Sequence, residues 1–165
     1  MYTTLLWATD GSAEADLALS EALELLAPGG RLVAFHCDQR FMGGRTAGVP
    51  VLADEFDRRR HIEAQVKGLQ ETGIDAEIEV EITNHGTPRE IAAVADHVGA
   101  DAIVCGTRGL GGLFGLLTGS VAADLLRRAT VPVIVVPAKA ADRVPVAVGE
   151  RHRSGHTPTH GAFIG

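Results

Sequence analysis

The stretch DAIVCGTRGLGGLFGLLTGSVAADLL, Asp101 to Leu126, passes through three kinds of sequence. An apolar, β-rich run, DAIVCGT, comes first, and a helix-like run, VAADLL, comes last. Between them, from Gly106 to Ser120, six of fifteen residues are glycine. Glycine costs backbone entropy on folding, so a chain that concentrates it here needs bare backbone for a purpose. A buried strand, a glycine loop and a helix in this order form the opening of a β-α-β unit.

The same alternation runs outward in both directions. TTLLWAT (Thr3 to Thr9), RLVAFHC (Arg31 to Cys37), AEIEVEI (Ala76 to Ile82) and VPVIVV (Val131 to Val136) read as strands. The first, second, fourth and fifth strands are nearly continuous apolar runs, as expected for strands buried on both faces of a parallel sheet. AEIEVEI alternates strictly, which places the third strand at a sheet edge. Helical spacing covers Ala15, Ala18, Leu19, Ala22, Leu23 and Leu26, with Gly29 and Gly30 ending that helix. A second helix spans Asp54 to Thr72, with Phe56, Ile62 and Val66 as core contacts. A third opens at TPRE, with Thr87 as N-cap, Pro88 at the first helical position and Glu90 closing a capping box. Its Ile91, Val94, Ala95 and Val98 face the sheet. The fourth starts near Gly119 and buries Val121, Ala122, Leu125 and Leu126. The order β-α-β-α-β-α-β-α-β predicts an α/β fold: a single doubly wound five-stranded parallel sheet with right-handed crossovers and helices on both faces. A ligand of such a sheet sits beyond the strand C-terminal ends, at the topological switch point.

Bulk properties narrow the function classes. The chain has 165 residues, 45% of them apolar and 22% charged, which fits one soluble globular domain. The formal net charge of −6 disfavours nonspecific attraction to nucleic acid or anionic membrane. The longest uncharged stretch, Gly109 to Ala123, is broken by five glycines and is not a membrane span. MYTTLLWATD lacks the features of a signal peptide, so a cytoplasmic location is expected. The two cysteines, Cys37 and Cys105, fit a reducing compartment. Residues 39–50 form a glycine-bearing loop. The domain is expected to occupy residues 1–140. From 141 to 165 the apolar periodicity is lost, and a disordered tail is expected. His152, His156 and His160 would align as metal ligands on a helix, but Gly155, Pro158 and Gly161 favour a solvated tail.

Small and polar residues gather where the strands end. The first ends in Ala8-Thr9-Asp10-Gly11-Ser12, the second in His36-Cys37-Asp38, and the fourth in Cys105-Gly106-Thr107-Arg108-Gly109. A helix N-terminus offers unpaired N–H groups to an anion, and glycine lets those groups approach a phosphate closely. Gly106, Gly109, Gly119 and Ser120 can therefore hold phosphates with few cations, which suits an acidic chain. Glycine content alone equally allows a purely structural loop of turns and close contacts. The loop is no Walker P-loop, because G-x4-G-K-[ST] is absent and neither Lys67 nor Lys139 lies in it. Gly109, Gly111 and Gly115 lack the spacing of the dinucleotide fingerprint.

The spacing Gly106-x2-Gly109-x9-Gly119-Ser120 resembles the G-x2-G-x9-G-S/T pattern of the universal stress protein family, in its ATP-binding branch. The resemblance covers roughly Thr3 to Pro137 and includes the ATDGS start, His36-Cys37, the Gly86-Thr87-Pro88 helix entry and the closing TVPVIVV. It implies strand order 3-2-1-4-5 and a homodimer through Val131–Val136. It also implies ATP, with Mg²⁺, as ligand. By this resemblance Ala8 and Thr9 line the nucleoside pocket, and Asp10 lies near the ribose and the metal-bound phosphates. Cys37 presents its backbone to the adenine edge. Gly106, Thr107, Arg108 and Gly109 wrap ribose and phosphates, and Gly119, Ser120, Val121 and Ala122 cradle the phosphates. Ala122 stands where some relatives carry a hydroxyl. Asp10 can alternatively cap the first helix, and Arg108 can be merely solvated. The implied function is that of an ATP-binding stress-response protein with little or no ATPase activity and no catalytic residues. A regulatory role implies a protein partner, which no motif specifies. Two other classes stay open. One is a ligand-free interaction protein of the same fold. The other is an adenylate-forming or sulfur-transfer enzyme using Asp10-Gly11-Ser12 as its phosphate loop.

Overall fold

The computed structural model describes residues 1–38, 50–82, 87–107 and 120–137. Nine elements alternate along them: β1 (Tyr2–Thr9), α1 (Ala13–Leu25), β2 (Leu26–Asp38), α2 (Pro50–Glu71), β3 (Asp75–Ile82), α3 (Thr87–Val98), β4 (Ala102–Gly106), α4 (Ser120–Arg128) and β5 (Val133–Val136). All strands are parallel, in the order β3-β2-β1-β4-β5. Most of the loop after β2, residues 108–119 and the tail from 138 lie outside the described residues.

The apolar run of β1 sets the centre of the sheet. Leu5, Leu6 and Trp7 are fully buried. Successive side chains of a strand point to opposite faces, so each face needs its own cover. Leu5, Trp7, Leu32 and Ala34 pack with Ala18 and Ala22 of α1 and Ile62 and Val66 of α2. Leu6, Val33, Phe35 and Ile103 pack with Ile91 and Ala95 of α3 and Ala122 and Leu125 of α4. Burying one large apolar side chain is worth about 1.5–3 kcal/mol, against about 1 kcal/mol net for a typical hydrogen bond. Side chains therefore decide that β1 is central. The Trp7 indole N–H then fixes the covering helix by donating to the Ala15 carbonyl at 2.9 Å.

The expected edge position of the third strand holds, since among the described strands β3 pairs with β2 alone. Four local expectations are corrected. Helix α1 ends at Leu25, four residues before Gly29, and Leu26 already has extended backbone. Pro28 disfavours helical backbone at Ala27, so the chain turns straight into β2. The glycines instead serve that early part of β2. A Cβ on Gly30 would lie 2.9 Å from Leu26 Cδ1 and 3.0 Å from the Thr3 carbonyl oxygen. Phe56 is 65% exposed and Leu126 57% exposed, so neither joins the core; Ile62 and Leu125 take the inward positions of those helices. Thr87 is the first residue of α3, not a cap preceding it.

The strand N-terminal ends are closed by one carboxylate. Asp101, just before β4, accepts from the Thr3 hydroxyl at 2.6 Å, the Thr3 N–H at 2.8 Å and the Thr4 N–H at 2.9 Å. The Thr3 hydroxyl bond, followed by the backbone bonds, lowers its pKa from the ordinary 3.8. A depressed carboxylate pKa adds stability above the unfolded-state value, and that stability is lost as pH falls through the folded-state value. Asp101→Asn should therefore lower the urea midpoint at pH 7. The gap between wild type and variant should close on acidification below pH 3.8, as followed by circular dichroism.

Candidate functional site

The chain leaves β1 toward β2 on one side and later returns to β4 on the other. The switch point therefore lies between β1 and β4, beyond their C-terminal ends. Ala8 pairs in register with Phe35 and Cys105, and Thr9 with His36. Ala8, Thr9 and Cys105 are buried. The β1–α1 turn must reverse the chain within three residues, and its polar side chains make that possible. Thr9 Oγ1 accepts from the Gly11 N–H and Asp10 Oδ1 accepts from the Ser12 N–H, both at 3.1 Å. Ser12 caps α1, its Oγ accepting from the Ala15 N–H at 3.3 Å. Asp10 thus braces the turn, while Ser12, not Asp10, is the helix cap.

Gly11 has φ +74°, a left-handed conformation that favours glycine. Its Cα also faces α2: an added Cβ would lie 3.1 Å from Arg58 Cβ and 3.2 Å from Arg58 Cγ. Helix α2 thus seats directly on the turn. The seat continues through His36, which is 2% exposed at the end of β2. Its Nδ1 lies 3.0 Å from the Thr9 carbonyl oxygen, and its Nε2 contacts Glu55 of α2. Arg58 Nη1 donates to the other carboxylate oxygen of Glu55 at 3.0 Å.

On the other side of the switch point β4 ends at Gly106, and the Thr107 N–H donates to the Val136 carbonyl at 2.9 Å. Helix α4 begins at Ser120, and the N–H groups of its first turn lack intrahelical partners. Ala122 is buried and Val121 packs against the same apolar cluster, so any contact they make with a ligand is through the backbone. Cys37 is half-buried next to His36. Burial pushes the Cys105 thiol from 9.0 up to about 11, so it stays protonated at neutral pH. Both cysteines are free thiols. The structure thus brings Ala8, Thr9, Asp10, Cys37, Gly106 and Thr107 to the strand ends. Arg108, Gly109 and Gly119 lie outside the described residues. No group of three or more potential metal ligands occurs among the described residues, and the tail histidines lie beyond them.

Sequence reasoning named His36 only as a strand end and missed Glu55 and Arg58. The i,i+3 spacing of Glu55 and Arg58 was visible, but their junction with His36 across 19 residues exists only in the fold. Replacing Gly11 with alanine tests the seat. Left-handed backbone costs a non-glycine residue about 1–2 kcal/mol, and the close contact with Arg58 adds to it. Gly11→Ala should lower unfolding free energy by at least that amount in urea titration.

The Universal stress protein family pattern matches residues 1–137. A Thermus aquaticus protein described as a universal stress protein in the QAH/OAS sulfhydrylase 3′ region is 33% identical over 142 residues, 82% of this chain and 99% of that one. A crystal structure of a universal stress protein family member from Burkholderia pseudomallei has TM-score 0.63 at 28% identity, covering 83% of this chain and 97% of its own. Another, a universal stress protein in complex with cAMP, has TM-score 0.57 at 28% identity, covering 82% and 97%. Together with the observed sheet order, these matches establish that the chain belongs to the universal stress protein family.

Proposed function

We propose that this protein is a cytoplasmic regulator that binds ATP with Mg²⁺ at the β1/β4 switch point and hydrolyses it slowly or not at all. The observation that carries this reading is the convergence of the β1, β2 and β4 ends beside the residues that open the G-x2-G-x9-G-S loop. The cAMP-bound relative supports a nucleotide as the ligand class. Ala8, Thr9 and the Cys37 backbone would receive the nucleoside. Gly106, Thr107, Arg108 and Gly109 would surround ribose and phosphates. The N–H groups of Gly119, Ser120, Val121 and Ala122 would meet the phosphates. A carboxylate accepts about four hydrogen bonds or metal contacts, so Asp10 can brace Ser12 and still serve a ribose hydroxyl or Mg²⁺. Without a lysine in the glycine loop, the site favours holding phosphates over transferring them.

Gly119→Val should weaken ATP binding at least tenfold, about 1.4 kcal/mol, with the far-ultraviolet circular dichroism spectrum unchanged. Asp10→Ala should weaken it more with Mg²⁺ present than without. Both are read by calorimetric titration. Absence of wild-type binding at millimolar ATP, or wild-type affinity in Gly119→Val, would refute the nucleotide reading.

We further propose a homodimer through β5. The two sheet edges differ in chemistry: β3 carries Glu77, Glu79 and Glu81, whereas β5 is VIVV and partly exposed throughout. Charged edges resist strand pairing and bare apolar edges invite it. Val133→Lys should convert a sedimenting dimer to monomer; an unchanged dimer would exclude this edge as the interface.

A further inference from the structure

Both ring nitrogens of His36 face oxygen acceptors. The Thr9 carbonyl, 3.0 Å from Nδ1, cannot donate a hydrogen bond. At Nε2 stands Glu55, whose other oxygen is bonded by the Arg58 guanidinium at 3.0 Å, and this favours the ionised carboxylate. A neutral imidazole has one N–H and can satisfy only one of these acceptors. The arrangement is complete only with the imidazolium. The buried ring joins Thr9, at the strand end, to the helix that packs on Gly11.

The remaining neighbours do not replace it. The β3 residue paired with His36 is Val80, which does not ionise. On α1, Asp16 is engaged by His61 at 3.0 Å and Gln65 at 2.9 Å. Asp10, just after β1, accepts from the Ser12 N–H. Cys37 packs with the cluster on the opposite sheet face. Among the described residues, Glu55 and Arg58 are therefore the charges that meet the ring.

We propose that His36 and Glu55 are positioning residues that couple proton binding to ligand affinity. The protonated ring holds the start of α2 on the Thr9–Ser12 turn, and loss of the Nε2 proton sets a lone pair against the Glu55 carboxylate and unseats the helix. The proposal deepens the nucleotide reading and rests on it for the ligand. In Glu55→Gln the side-chain amide can donate to a neutral ring, so the seat persists without the proton.

The test follows ¹⁵N-histidine spectra, backbone amide shifts and ATP affinity of the full chain from pH 5 to 9. In wild type, both His36 nitrogens should be protonated at the acid end. Loss of the Nε2 proton, movement of α2 amides around Glu55 and Arg58, and weakening of ATP binding should share one midpoint. ATP's own ionisation is common to both proteins. Across that midpoint, wild-type affinity should fall at least fivefold more than that of Glu55→Gln, whose α2 amides should stay in place. A ring carrying one proton throughout, a ring that titrates without moving α2, or equal affinity changes in the two proteins would overturn the proposal. If neither protein binds ATP at any pH, the nucleotide reading fails and with it the coupling to ligand. The seating role of His36 is then decided by the ring and α2 signals alone.

Discussion

Everything in this fold depends on β1 having a neighbour strand on each edge and a helix layer on each face. Leu5, Leu6 and Trp7 are excluded from water in both directions at once, and an apolar strand with no wet face can sit only inside a sheet. Once β1 is central, the crossovers to β2 and β4 must leave on opposite sides. The C-terminal ends then open into a crevice that no single strand could form. The crevice's location is thus a consequence of hydrophobic burial and strand order, fixed without reference to any ligand-binding residue.

The ends of the sheet use polar groups differently. At the N-terminal end one oxygen of the Asp101 carboxylate accepts three bonds from Thr3 and Thr4, which ties the start of β4 to β1. At the C-terminal end the bonds are short-range: Thr9 to Gly11, Asp10 to Ser12, Ser12 to Ala15. These hold the turn's shape without joining the strands to one another across the crevice. Among the described residues, side-chain cross-links there bring in α2, through His36, Glu55 and Arg58, while the Thr107 N–H ties the end of β4 to the Val136 carbonyl.

How much of this was legible in the sequence depended on the range of the interaction. The buried strands β1, β2 and β4, the wet edge strand and the inward faces of α1 and α3 follow from local periodicity and appear where periodicity put them; β5, read as buried on both faces, is instead a partly exposed edge. The strand order came from the resemblance carried by the glycine loop, since no pattern of alternation fixes which strands are neighbours. The end of α1 was misread because Gly29 and Gly30 are stronger punctuation than Pro28 in a pattern search, although Pro28 acts first along the chain. Phe56 and Leu126 were misread because hydrophobicity does not reveal which side of a helix a sheet will cover. The His36–Glu55 contact could not be read at all, since it joins a strand end to a helix across a loop.

The charge balance around the crevice bears on how an acidic protein can hold an anion. Near the β1 turn the paired charges are His36, Glu55 and Arg58, with Asp10 beside them. With the ring protonated, these four sum to zero. Among the described residues these four charges offer an arriving anion no net attraction, and the chain's overall charge of −6 repels it. Attraction then falls to the loop arginine, Arg108, and to oriented N–H groups, whose partial charges do not depend on pH. Removing the proton from His36 shifts the sum over these four groups to −1, beside the place where phosphates would lie. The ring's proton therefore acts twice in the same direction, mechanically through the seat of α2 and electrostatically through the field at the turn.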